Sequence, residues 1–155
     1  MVDLCKQIIK DNQQIESIKL VTLDLQQKAS VLDTISFIAQ EEKMYSLINI
    51  AINTGDADLL DKLSVGYNLE DIEEVIEHCQ KNNVLYTFDI ICGLPDETEK
   101  QFENTTKLMQ KYKPVFANIY PYNTTYETDE DAMVVYNKCK IIANIINEHW
   151  DNNFA

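Results

Sequence analysis

The chain has no arginine. All 13 of its basic residues are lysines, set against 26 acidic residues, for a formal charge of −13. The lack of arginine excludes any bidentate guanidinium clamp on a carboxylate or phosphate. The negative balance argues against direct nucleic-acid binding, which needs a basic footprint to displace counterions. Histidine is nearly as scarce: His78 and His149 lie on charged helical stretches, neither with a partner spaced for metal ligation. The four cysteines, Cys5, Cys79, Cys92 and Cys139, are far apart and form neither C-x-x-C nor C-x-x-x-C-x-x-C. They read as buried, reduced thiols. Apolar runs last only a few residues, which excludes a membrane-spanning helix. The first residues lack the basic-then-apolar layout of a secretory signal, so a cytoplasmic location is the default expectation.

What is present suits one ordinary domain over residues 1–155. The composition, 45% hydrophobic and 25% charged, is that of a globular protein able to bury a core. Apolar spacing predicts helices over 2–12, 30–42, 69–81, 97–112 and 128–149. Their inward stripes are Cys5, Ile8 and Ile9; Leu32, Ile35, Ile38 and Ala39; Leu69, Ile72, Val75, Ile76 and Cys79; Phe102, Thr106, Met109 and Tyr112; and Val135, Cys139, Ile142 and Ile146. Asn68 is placed to cap the third. The acidic run Asp129-Glu130-Asp131 suits the start of the last. Strands are expected at 17–24, 46–52, 84–91 and 115–120. Helix-length connections make these strands parallel, with right-handed crossovers. The fold class is therefore α/β, with an N-terminal helix and a long C-terminal helix. Four parallel β/α strands form either a small open sheet or half of a TIM-type barrel, with ligand chemistry at the strand C-termini in both cases.

Two of the three glycines, Gly55 and Gly93, follow strands; the third, Gly66, precedes the helix at 69. A tight strand-to-helix turn and a closely approaching ligand both account for glycine there. Asp89 sits within an apolar strand, where an unpaired carboxylate is costly. It either faces the barrel interior as a polar contact or bonds a neighbouring strand's loop. Pro95 and Glu97 suit the start of a helix. Tyr120, Tyr122 and Tyr126 form an aromatic group with no positive charge nearby.

Three loops carry more. Asn53-Thr54-Gly55, with Leu60, Leu63 and Tyr67 in ungapped register, resembles the Q-S-G-S-D-x-V-L-x-x-M-x-R-x-Y-T stretch of radical S-adenosylmethionine (radical SAM) methylthiotransferases. Asp89 through Thr98, with Phe102, resembles their D-I-I-V-G-F-P-G-E-T-x-x-x-F, departing at Cys92, Leu94 and Asp96. Tyr120-Pro121-Tyr122-Asn123 resembles F-P-Y-S, with Thr125 and Glu127 in place of an arginine and a glycine. The resemblance spans about residues 15–150. The G-L-P-x-E-T element recurs across the superfamily, so it marks the superfamily more firmly than the tRNA- or ribosomal-protein-modifying branch.

The resemblance implies a transferase core that binds S-adenosylmethionine beside a 4Fe–4S cluster. By residue, it implies cofactor contacts from Asn53, Thr54, Gly55, Asp89, Gly93, Pro95, Glu97 and Thr98. The cluster-binding C-x-x-x-C-x-x-C is not in this sequence, so this chain alone is expected to hold no cluster, no metal and no catalytic residue, and to be inactive by itself. Val65 stands for the family's arginine, and a valine cannot replace its charge. Half a barrel leaves two open strand edges, which invite pairing. A cluster-bearing N-terminal half or a homo-oligomer is the expected partner, with no direct nucleic-acid or membrane contact. The other reading from the residues is a non-catalytic α/β scaffold or protein-interaction domain.

Overall fold

The computed structural model describes residues 1–122 and 128–154, with side chains through Trp150. Alternation of isoleucine with polar residues makes the first ordered strand, β1 (Leu47–Asn53), which buries Ile48, Ile50 and Ile52 on one face. The next strands are β2 (Leu85–Cys92) and β3 (Phe116–Pro121). The three run parallel in the order β1-β2-β3, pairing Ile50 with Phe88 and Phe88 with Ala117.

The helices are α1 (Val2–Asp11), α2 (Lys28–Gln40), α3 (Ala57–Leu63), α4 (Leu69–Lys81), α5 (Glu99–Tyr112) and α6 (Asp129–Phe154). Local chemistry sets their ends. Asn68 and Asp71 form a reciprocal capping box on α4, and Thr98 and Gln101 form one on α5. Asp56 caps α3 by accepting the Leu59 N–H, and Thr128 accepts the Asp131 N–H at the head of α6. One continuous core joins the buried sheet face to α2, α4, α5 and α6, with Ile35, Ile72, Ile76, Phe88, Met109 and Ile142 at or near zero exposure.

The α/β half-barrel reading holds, and two elements differ in detail. The expected first strand, 17–24, does lie parallel beside β1. It is bridged to the sheet only from Leu23 to Ile50, and its other bridge, Ile18 to Met44, meets the segment that precedes β1. An edge segment has a neighbour on one side only. Here the chain is pinned by buried Leu23 and by the exchange between Ile18 and the backbone at 43–45, while Val21 stands 75% exposed between them. Helix α3, which was not anticipated, fills the connection after β1. Two helical stripes also rotate by about a residue: α2 buries Val31 and Thr34 and leaves Ala39 exposed, and α5 buries Thr105 where Thr106 was expected.

The opposite sheet face is uncovered among the described residues. It presents Leu85, Phe116 and Tyr120, each at least half exposed, and the polar side chains of Asn49, Thr87, Asp89 and Asn118. In half a β/α barrel this is the side that corresponds to the barrel interior.

Candidate functional site

The eight expected cofactor residues divide between the two faces of the sheet. Asn53 and Asp89 belong to the open, inner side. At Asn53 a β-bulge after Ala51 and a positive φ of 59° break the alternation. The Asn53 amide donates to the Tyr67 hydroxyl at 2.6 Å, and that hydroxyl donates to the Ala51 carbonyl at 2.5 Å. This lock explains why a tyrosine stands at position 67. Burial, reinforced by the Asp24 charge and only partly offset by the Asn53 bond, pushes the Tyr67 phenol up to about 12.

Asp89 both faces the interior and bonds the neighbouring strands. Its carboxylate accepts from Asn49 Nδ2 at 2.6 Å and from Asn118 Nδ2 at 2.8 Å, and Thr87 donates to Asn49 Oδ1 at 2.7 Å. Three strands are thus tied by one half-buried carboxylate, which answers the cost of placing it in an apolar strand.

The other six turn toward the helix layer or the rim. Thr54 is fully buried, with its hydroxyl 3.1 Å from that of Thr105, and the Gly55 N–H donates to Thr105 Oγ1 at 2.9 Å. A Cβ on Gly55 would meet Thr105 Cα at 2.7 Å, so packing against α5 already demands this glycine. Beside it, burial opposes the charge of Asp56. Bonds from Asn104, the Leu59 N–H and Gln101 outweigh that and hold the carboxyl below its usual range.

Gly93 has φ +77°, and a Cβ there would come within 2.4 Å of Val135 on α6. Pro95 is exposed at the rim, and the Glu97 N–H closes a turn onto the Leu94 carbonyl. Glu97 itself is buried in an ion pair with Lys138, Oε2 to Nζ 2.8 Å. Thr98 caps α5, which begins at Glu99, two residues beyond the start suggested by Pro95 and Glu97. Burial, then the neighbouring Cys139, push the Cys92 thiol above its ordinary range, as suits a structural thiol. The Tyr122 N–H bonds the Cys92 carbonyl, which brings the β2 and β3 loops together; Asn123, Thr125, Tyr126 and Glu127 lie outside the described residues.

Sequence reading missed Asn49 and Asn118, the partners of Asp89. Their signal is the period-two pattern: each polar residue alternates with buried apolar neighbours in its strand. It also missed Thr105 and Lys138, which look like ordinary helix-surface residues.

The inner face continues downward into a groove of about 860 Å³ lined by Lys19, Leu47, Asn49, Leu85, Phe116 and Trp150. These residues include the first of each strand, so the groove opens at the end opposite the strand-end loops. The Trp150 indole N–H reaches the Val115 carbonyl at 2.7 Å and closes its floor.

The donor set distinguishes the two family cofactors. Cys5, Cys79 and Cys92 are separately buried. Among the described residues no group of three or more His, Cys, Asp or Glu side chains is placed to hold a metal. An iron–sulfur cluster does not fit this chain's residues. The half-buried amide of Asn53 and carboxylate of Asp89 are polar groups of the kind S-adenosylmethionine would bond, and both already bond protein partners.

Parallel strands joined by crossover helices, with polar loops at the strand C-termini, define half of a β/α-barrel-type core. The sequence profile of the radical SAM superfamily matches residues 2–109, and the chain belongs to that superfamily. It is similar to a probable threonylcarbamoyladenosine tRNA methylthiotransferase of Methanocaldococcus jannaschii, 28% identical over 105 residues, 66% of this chain and 25% of the relative. A threonylcarbamoyladenosine tRNA methylthiotransferase of Rickettsia prowazekii is 29% identical over 126 residues, 77% of this chain and 28% of that protein. A tRNA-2-methylthio-N(6)-dimethylallyladenosine synthase of Ehrlichia canis is 32% identical over 84 residues, 53% and 19% respectively. The chain thus spans about a quarter of the length of the relatives it matches.

Proposed function

We propose that this chain is the second half of a methylthiotransferase-like radical SAM core. It supplies strand-end loops to an S-adenosylmethionine pocket whose iron–sulfur cluster is held by polypeptide outside these 155 residues. The observation that carries this reading is the uncovered inner sheet face, with its polar centre at Asp89 and its apolar lower half, continuous with the family loops at the strand ends. Open strand edges and the exposed side chains of Leu85, Phe116 and Tyr120 suit cover by another polypeptide.

Within such a core Asp89 and Asn53 offer hydrogen bonds to the cofactor, and the backbone at 93–96 borders it. When bound beside a cluster that supplies one electron from the partner polypeptide, the cofactor would provide a carbon-centred radical for hydrogen abstraction from substrate. The substrate proposed from the relatives is an adenosine-derived nucleotide of tRNA. With a charge of −13 and no arginine, this chain leaves the RNA contacts to other parts of the assembly.

The test is association. A radical SAM N-terminal half bearing C-x-x-x-C-x-x-C is mixed with this chain under anaerobic conditions and followed by sedimentation velocity. A one-to-one complex, weakened by Phe116→Glu on the inner face, is expected. Two species that sediment independently would overturn the reading. A second reading, a non-catalytic interaction scaffold, draws on Thr54, Gly55, Gly93, Glu97 and Thr98, each of which already has a structural task.

A further inference from the structure

Only one ion pair among the described residues is buried at both ends. Lys138 and Glu97 have side-chain exposures of 8% and 2%, whereas each of the others has at least one substantially exposed partner. A lone buried pair is weak evidence for stability, because desolvation offsets most of the Coulombic gain. Its location is more informative. Glu97 lies near the end of the loop that follows β2, and Lys138 lies in the first half of α6.

Lys138 also lies over the Phe102 ring, 5.1 Å from its centroid, and 4.0 Å from Glu99 Oε1. One turn earlier on α6, Val135 fills the space a Gly93 side chain would need. The loop is therefore held by α6 at both ends, by packing at Gly93 and by charge at Glu97. Between them Asp96 has a positive φ of 58°, a conformation that needs outside support.

We propose that Lys138 is a positioning residue for the 93–98 loop: its buried bond to Glu97 fixes the loop backbone in the shape that borders the cofactor. The part concerning the cofactor rests on the function proposed above. The part concerning loop order does not.

The experiment uses the full chain, with amide hydrogen exchange and S-adenosylmethionine calorimetry side by side. Lys138→Met is expected to speed exchange at the Glu97 amide by about tenfold, with the amides of Ile48 and Ile50 little changed. It should weaken cofactor binding by a similar factor, through lost preorganisation. The double variant Glu97→Met with Lys138→Met removes both charges and guards against simple misfolding. Its unfolding midpoint should return toward wild type while loop exchange stays fast and binding stays weak. Unchanged loop exchange in Lys138→Met would overturn the proposal. So would a double variant that regains slow exchange along with its midpoint, since packing alone would then suffice. If the wild type alone binds no cofactor, the binding arm is read on its mixture with the cluster-bearing half, and the exchange data still decide the role of Lys138.

Discussion

Replacing Gly55 by alanine separates two explanations for a glycine at a strand end. The added Cβ would lie 2.7 Å from Thr105 Cα, 2.9 Å from the Asn104 carbonyl oxygen and 3.1 Å from Leu108 Cβ. Two of these three neighbours are helix backbone, which cannot rotate away. Ordinary contact requires α5 to retreat by roughly 1 Å, and overpacking of this kind costs about 1–3 kcal/mol. Retreat also stretches the 2.9 Å bond from the Gly55 N–H to Thr105 and the Thr54–Thr105 contact, all fully buried, adding about 1 kcal/mol. The sum is about 2–4 kcal/mol. In a domain of this size about 3 kcal/mol lowers the thermal midpoint by roughly 6–12 °C. Urea denaturation followed by circular dichroism measures the loss directly. A cost below about 0.5 kcal/mol, the range of an inconsequential surface change, would refute the packing explanation. Close approach of a ligand would then become the better reason for this glycine.

Two further outcomes follow from the inner face. The Tyr67 phenol ionises near 10 when unfolded and near 12 when folded, so the unfolded chain loses its proton first and stability falls as pH rises through that window. The Cys79 thiol, raised from 9.0 to about 12 by burial, adds a slope of the same sign from lower pH. Alkaline urea titrations of Tyr67→Phe should therefore show a shallower decline than wild type between pH 10 and 12, and equal slopes would count against the buried phenol. Asp89→Ala frees two asparagine amides on a face that water reaches, so its stability cost should stay near 1 kcal/mol while cofactor binding weakens about tenfold. Unchanged binding, measured by calorimetry, would remove Asp89 from the site.

The sequence made the architecture legible where periodicity was strong. Helix α4 was predicted at its observed limits because four buried apolar positions and the Asn68 cap agree. The three ladder strands were placed within a residue because alternating apolar side chains mark a buried face, isoleucines in β1 and Tyr86, Phe88 and Ile90 in β2. Segment 17–24 misled because its composition is that of a strand, whereas ladder formation depends on tertiary neighbours that an edge lacks. Helix α3 has only seven residues, too few to show a period.

The site was legible as loops but not as directions. The motif residues were found, yet a motif cannot tell whether Gly55 and Gly93 admit a ligand or a helix. The structure shows that α5 and α6 already occupy the space beside them. Lys138 was hidden because a lysine in Asn-Lys-Cys-Lys reads as surface charge, and only the path of the β2 loop brings Glu97 to it.

The most direct test of the central claim, that this chain carries part of a cofactor pocket, is titration of S-adenosylmethionine into the purified chain by calorimetry. Half of a radical SAM core whose strand-end loops are already shaped predicts saturable binding in the micromolar range. No heat of binding, either from the folded chain or from its mixture with a cluster-bearing N-terminal half, would contradict it.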